Sequence, residues 1–174
     1  MPNWCFCKLT VYGPSEEVNR FANEASTMLA QDEDERSEIS LQKLVPCPPI
    51  LLGRDHAANP YMDMAAYLAS MKSGANIPLE NDDWYTWRVR NWGTKWDITA
   101  KIEKLGPQLK NGKRELVYTF DSAWSPPCAA FERISEDWPL LKFRLTYREE
   151  GMGVKGSETF GPHPENAVDK NSVA

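Results

Sequence analysis

The run LVYTFDSAWSPPCAAFERISEDWPLLKFRLTYR at residues 116–148 predicts a strand, a helix and a second strand in close succession. Side chains alternate between two faces from Leu116 to Asp121, which predicts a strand that ends at Asp121. Ser125 followed by Pro126 predicts a helix start, because the hydroxyl can cap the helix and the proline ring already has a helical φ. Apolar and polar residues then alternate strictly from Leu141 to Arg148, as in a half-buried strand.

Two further strands and a helix are predicted outside this run. Residues 98–103 alternate like a strand, and the Asn-Gly pair of GPQLKNGKR predicts a hairpin turn that joins them to the strand at Leu116. Near the N-terminus, residues 4–12 alternate in the same way and stop at Gly13 and Pro14. Apolar residues then recur at helical spacing from Val18 to Leu29, ahead of the charged run DEDERSE.

The predicted order is β-α-insertion-β-β-α-β. Two split βαβ halves of this kind form an α+β ferredoxin-like sandwich with an antiparallel sheet and helices on one face. We expect one domain over residues 1–161, a Trp-rich helical insertion at about 31–97, and a flexible polar tail at 162–174. Within the insertion, residues 40–45 are expected to be extended, residues 61–73 helical, and a further helix to run from a cap at Asn81 to a left-handed Gly93.

Composition limits the classes of function. The chain has 174 residues, a net charge of −5 and a 41% apolar fraction, which is typical of a globular domain without a membrane span. Four cysteines without a secretory signal favour reduced thiols in a cytoplasm. The acidic total disfavours a general nucleic-acid binder, although residues 84–118 are locally basic.

Four long motifs carry a family resemblance: MPNWCFCKLTVYG at the start, NWGTKWD in the middle, FDSAWSPP, and a strand that ends in TYREEG. They resemble the YubB ferredoxin-like family, over residues 1 to about 161. The resemblance implies a ferredoxin-like domain and an origin on a plasmid, phage or prophage, hence a cytoplasmic location in a bacterial host. It implies no activity and no functional residue, because that family has none assigned. Position 7 is often a short polar residue in related chains, whereas here it is Cys7.

The motifs NWGTKWD and FDSAWSPP contain the candidate ligand- or partner-binding residues. Each has a structural alternative: a rigid helix-to-strand connector for the first and a capped strand-to-helix turn for the second. Lys95 is expected to pair with Asp97 or Asp121, and the two motifs could meet in space because both adjoin the same hairpin. The candidate residues are Asn91, Trp92, Lys95, Trp96, Asp97, Asp121, Ser122 and Trp124.

The sequence gives little support for a metal site, a catalytic site or a phosphate-binding loop. Cys5 and Cys7 share a strand face with aliphatic residues, and no C-x-x-C or H-x-x-x-H pair suggests zinc. His56 lies in a loop-like stretch without a nucleophile beside it, and no glycine-rich phosphate loop occurs. We therefore expect no catalytic residue, metal or cofactor.

The other face of the first strand carries Trp4, Phe6 and Tyr12. Aromatic residues on an exposed ferredoxin-like sheet can stack nucleic-acid bases. The expectation from the sequence is instead that the insertion folds over this face and buries Trp4 and Phe6.

The function expected from the sequence is a non-enzymatic accessory protein of a mobile element that binds a host- or element-encoded protein, one version being an inhibitor of host defence. Aromatic residues supply the energetic centres of such interfaces. The alternative is a nucleic-acid or nucleotide binder that uses the Trp-rich surface and a basic hairpin. The basic residues of that hairpin are Lys101, Lys104, Lys110, Lys113 and Arg114.

Overall fold

The computed structural model describes residues 3–29, 32–52 and 83–162. The first part of the chain contains β1 (Trp4–Pro14), α1 (Ser15–Ala25), β2 (Thr27–Leu29), β3 (Asp32–Ser37), α2 (Leu41–Leu44) and α3 (Pro49–Leu52). The second part contains α4 (Trp84–Trp92), β4 (Lys101–Leu105), β5 (Lys113–Ala123), α5 (Cys128–Asp137), β6 (Lys142–Glu149) and β7 (Val154–Phe160). No helix in these described ranges is long and apolar enough to cross a lipid bilayer.

Five strands form one antiparallel sheet in the order β4-β5-β1-β6-β7. The units β1-α1-β4 and β5-α5-β6 are two split βαβ halves, each with a strand of the other half between its own two strands. The fold is therefore ferredoxin-like α+β, as the alternation predicted. The β1 strand is central, because it pairs with both β5 and β6 along almost its whole length.

Both long helices cover one face of this sheet, the inner face. From α1, Phe21 makes edge-to-face contacts with Trp138 and Phe143, each at a centroid distance of 5.2 Å. From α5, Phe131 lies between Phe120 and Phe143. Burying one such phenyl ring contributes about 2 to 3 kcal/mol, so these aromatic contacts fix both helices to the sheet.

The first helix ends earlier than expected. The α1 helix stops at Ala25, and Leu29 belongs to β2, which pairs with β3 in a separate two-stranded sheet. Ser26 is extended, and the Ser40 amide donates to the Ala25 carbonyl at 3.0 Å. This bond satisfies a carbonyl at the helix end, so the chain leaves the helix there. The charged run DEDERSE, expected to be an exposed segment, contains β3.

Residues 40–45 are not an extended piece. They form α2, whose N-cap Ser40 accepts a hydrogen bond from the Lys43 amide at 3.1 Å. A serine at this position favours a helix start, so the chain forms a short helix here rather than an extended piece.

The boundaries near the hairpin also differ from the prediction. The β5 strand does not end at Asp121 but continues to Ala123, because β1 offers partners as far as Trp4. The β4 strand begins at Lys101, since the preceding residues bond to Ser37 instead. Ser125 caps no helix: α5 begins at Cys128, and the Ser125 hydroxyl donates to the Gly93 carbonyl.

The β7 strand was not predicted, since VKGSETF lacks an apolar alternation. It lies at the sheet edge, where Gly156 is in tight contact with the Tyr147 ring across the ladder. A Cβ at position 156 would collide with the Tyr147 hydroxyl. Glycine therefore serves here for close approach rather than for a turn.

Within the insertion, α4 begins after the cap Asp83 rather than Asn81, and it ends at Gly93 with φ 81°, as predicted. Asn81, the expected helix at 61–73, and the residues of the expected tail from 163 onward lie outside the described residues.

Candidate functional site

The two tryptophan motifs are joined directly by hydrogen bonds. The buried Thr94 hydroxyl of the first motif donates to the Ala123 carbonyl at 2.9 Å. The Ser125 hydroxyl of the second motif donates to the Gly93 carbonyl. The loop at 93–97 and the turn at 124–127 therefore form one rigid unit at the end of β5.

Four of the eight candidate residues have structural roles in that unit. Trp92 is fully buried and donates its indole N–H to the Val45 carbonyl at 2.8 Å. Asn91 donates to the Trp87 carbonyl, and buried Ser122 donates to the Ser125 carbonyl. These three side chains hold backbone in place through their hydrogen bonds.

Asp97 is the fourth structural residue. Its carboxylate accepts hydrogen bonds from the Leu41 amide at 2.6 Å, the Ser40 hydroxyl at 2.7 Å and its neighbour Ile98 at 2.8 Å. The Gln42 amide adds a longer bond at 3.3 Å. The carboxylate therefore satisfies the free amides at the start of α2 and joins the first part of the insertion to its last residue.

Of the other four candidates, Lys95 is half-buried, and Trp96, Asp121 and Trp124 are exposed. Lys95 does not pair with Asp97 or Asp121 as expected; its Nζ lies 4.8 Å from the Trp96 ring centroid and 5.7 Å from that of Tyr85. Trp96 in turn contacts Trp4, with a centroid distance of 6.0 Å. The ammonium group is attracted to the faces of both rings, and both rings are partly exposed.

Trp124 is the one described non-glycine residue with positive φ, at 70°. It is 49% exposed, and its amide donates to the Asn3 carbonyl at 2.8 Å. The left-handed conformation costs an ordinary side chain about 1 to 2 kcal/mol. Strain of this size at an exposed tryptophan is a feature of binding sites more than of packing.

The described residues of the insertion do not bury Trp4 and Phe6, contrary to the expectation. Trp4 is 50% exposed and Phe6 is 45% exposed, while their neighbours Cys5 and Cys7 are fully buried. The apolar side chains of β1 therefore lie under the helices, and the aromatic side chains on its other side are exposed to solvent. We call the side of the sheet that carries Trp4 and Phe6 the outer face.

The outer face carries basic residues on both sides of Trp4 and Phe6, which we call its aromatic row. Strand register places next to β1 the side chains of Arg144 and Arg148 from β6, and Lys101 from β4 lies beyond β5. Some of these charges are neutralised, as in the 2.8 Å pair of Lys8 with Glu103. The basic residues of the face are Lys8, Lys101, Lys104, Lys113, Lys142, Arg144, Arg148 and Lys155, against the acidic Glu103, Glu115, Asp121 and Glu150. The face is therefore positive in a chain whose net charge is −5.

The basic hairpin contributes only in part to this face. Lys101, Lys104 and Lys113 lie on it, and the Lys113 Nζ is 5.5 Å from the Tyr12 ring centroid. Arg114 faces the other way and donates to Asn19 of α1. Lys110 lies in the turn between β4 and β5. Sequence reasoning missed the arginines of β6, which the strict alternation at 141–148 would have placed opposite the core.

A shallow cavity of about 280 Å³ lies at the end of the outer face, beside the exposed tryptophans. Its walls include Trp4, Phe6, Asp121 and Arg148. Phe6 is opposite Asp121 on one side and opposite Arg148 on the other. The buried Glu149 carboxylate at its base accepts hydrogen bonds from Gly151 and Met152.

The thiols of the inner face are protected. Cys5 and Cys7 are fully buried with their sulfurs 4.0 Å apart, and burial raises the pKa of both. Burial raises the pKa of Cys128 to about 11. Among the described residues no group of three or more His, Cys, Asp or Glu is placed to hold a metal ion. His56 and His163 lie outside the described residues.

The sheet order and the paired βαβ halves define a ferredoxin-like domain. Residues 92–170 match the family described as a ferredoxin-like domain in Api92-like protein, a range that begins at the last residue of α4. Searches of curated proteins and of solved structures give no match.

Proposed function

We propose that this protein binds single-stranded nucleic acid on the outer face of its sheet. The observation that carries the proposal is the exposure of Trp4 and Phe6 on a central strand flanked by Arg144 and Arg148. Base–aromatic stacking contributes about 1 to 3 kcal/mol per base, and neighbouring cations hold the phosphates. An acidic chain with one positive face has the charge complementarity that a polyanion requires on that face alone.

A binding assay with labelled dodecamers of thymidine and uridine tests this proposal. Affinity should be measurable at low salt and should fall in Trp4→Ala and Phe6→Ala by about 1 kcal/mol or more each. Leu140→Ala is the matched control, because Leu140 is 59% exposed and lies in the turn before β6. Equal affinity of all three variants, or no binding at low salt, would overturn the proposal.

A protein partner is the second candidate, and the strained, exposed Trp124 favours it. Tryptophans are frequent centres of binding energy at protein interfaces. The partner would be a host- or element-encoded protein, with inhibition of host defence as one version. Purified partner should bind the native chain and lose affinity for Trp124→Gly but not for Leu140→Ala; unchanged affinity of Trp124→Gly would exclude this surface.

We also propose that the protein originates from a plasmid, phage or prophage and belongs to the YubB family. Its location would then be the cytoplasm of a bacterial host. Their support is the likeness of the four sequence motifs. Genes of replication, transfer or defence inhibition beside this gene would support the mobile origin, and a neighbourhood of ordinary chromosomal genes would contradict it.

A further inference from the structure

We infer that the cavity at the end of the outer face takes an unpaired guanine base of the bound strand. This inference rests on the proposed nucleic-acid function and specifies which base that surface prefers. The base would stack on Phe6 and Trp4, between the carboxylate of Asp121 and the guanidinium of Arg148.

The aromatic floor of the cavity is suited to any base. Phe6 and Trp4 are about half exposed, and every base has a face that stacks on such rings. Trp96 supports the Trp4 ring from outside at a centroid distance of 6.0 Å. Stacking alone gives affinity without a strong preference, so discrimination depends on the polar side chains at the edges.

Asp121 supplies the first edge. It lies directly opposite Phe6 on β5, which places the two Cβ atoms about 5 Å apart. Its side chain is exposed, and the structure gives it no hydrogen bond or ion pair with any described residue. An ionised carboxylate only accepts hydrogen bonds. Guanine alone among the common bases has two adjacent donors on its Watson–Crick edge, at N1 and N2.

Arg148 supplies the second edge. It lies opposite Phe6 on β6, across the aromatic row from Asp121. It forms an ion pair with exposed Glu150 at 3.3 Å, a surface pair that contributes little and exchanges readily. Arginine donates in pairs to the O6 and N7 acceptors of guanine, which is the commonest specific contact to that base. Guanine alone offers a pair of adjacent donors to the carboxylate and a pair of adjacent acceptors to the guanidinium, whereas adenine, cytosine and uracil offer at most one such pair.

The test uses fluorescence anisotropy with octamers of uridine that carry one central G, A or C, together with the unsubstituted octamer and free guanosine monophosphate. The native chain should bind the G-containing strand at least about fivefold more tightly than the others. A free nucleotide lacks the neighbouring phosphates, so it should bind more weakly than the strand. Equal affinity of free nucleotide and strand would overturn the assignment to a base within a strand.

Asp121→Asn is the decisive variant, since it keeps the size of the side chain and removes an acceptor. It should abolish the preference for G and leave binding of the uridine octamer unchanged or slightly stronger. Glu103→Gln is the matched control, because Glu103 is an acid of the same face that does not line the cavity; it should keep the preference.

The outcomes separate the two proposals. If uridine strands bind but G gives no advantage, or the advantage survives in Asp121→Asn, the guanine assignment is wrong and the proposed function stands. If no strand binds at low salt, both are wrong.

Discussion

At the scale of single residues, the donors that reach a carboxylate decide its role. Asp97 accepts bonds from the start of α2 and from its own following amide, so its charge is already used within the fold. Asp121 is exposed on the outer face and is available to a ligand. The two side chains are chemically identical, and only the surrounding backbone distinguishes them.

Replacing these two aspartates with alanine should therefore give opposite results. Asp97→Ala leaves several amides without a partner and should lower the free energy of unfolding by about 2 to 3 kcal/mol. Asp121→Ala should change it by no more than about 0.5 kcal/mol. Urea unfolding followed by tryptophan fluorescence measures both, and a similar loss in the two variants would contradict the structural role of Asp97.

The buried thiols predict an alkaline loss of stability. The folded protein raises the pKa of Cys7 above its ordinary value of 9.0, so the folded state retains protons that the unfolded chain releases. The stability from this difference is complete below about pH 9 and declines as the pH rises further. The urea concentration at the unfolding midpoint should decrease when the pH is raised from about 8 to about 10. The decrease should be smaller in Cys7→Ala. An equal fall in both proteins would exclude Cys7 as the cause.

At the scale of elements, sequence patterns predicted the strands that pack against the helices. They missed the features that depend on backbone hydrogen bonds alone. The strands β1, β5 and β6 alternate because one side meets the helices, so periodicity found them. The edge strand β7 is held by its ladder with β6 and has no such pattern. The end of α1 was missed for a similar reason, since the bond that satisfies Ala25 comes from Ser40.

The same reasoning explains how much of the site was predictable. Alternation placed Trp4 and Phe6 away from the core, but it could not show whether another part of the chain covers them. The motifs drew attention to Lys95, Trp96, Asp121 and Trp124, yet Arg144 and Arg148 became visible only when β6 was placed beside β1. Proximity across strands is a property of register, which no local pattern contains.

The turn after β5 gives a prediction at this scale. Both Trp124→Gly and Trp124→Ala remove the indole, but only glycine adopts φ 70° without steric cost. The glycine variant should therefore be the more stable of the two by about 1 kcal/mol, in contrast to the usual order. Thermal or urea unfolding of the pair tests this, and a more stable alanine variant would show that the turn relaxes to a different conformation.

At the scale of the whole molecule, the distribution of charge matters more than its sum. The positive outer face is opposite the helices, while the chain as a whole is acidic at −5. Long-range attraction of a polyanion therefore acts from one side, and the remaining surface repels it. This asymmetry reconciles the acidic composition with the proposed function.

Salt dependence should reveal which cations bind phosphate. For a single strand, the slope of log affinity against log salt should decrease by about 0.7 for each phosphate that the protein no longer neutralises. Arg144→Gln should show such a decrease. Arg133→Gln should not, because Arg133 lies on α5 beside Glu136 on the helix side of the sheet. Identical slopes for the two variants would show that the outer face does not bind the phosphates.

The central place of β1 has a consequence for how the chain is made. Its neighbours β5 and β6 begin roughly 100 and roughly 130 residues after β1 ends, so the sheet cannot close until β6 has left the ribosome. A fragment that starts at Trp92, where the family match begins, would contain two hairpins with an empty slot between them. We expect that fragment to show no cooperative unfolding transition by circular dichroism, and to gain one when a peptide of residues 1–29 is added. The β1 strand would then wait for both of its later neighbours before it pairs.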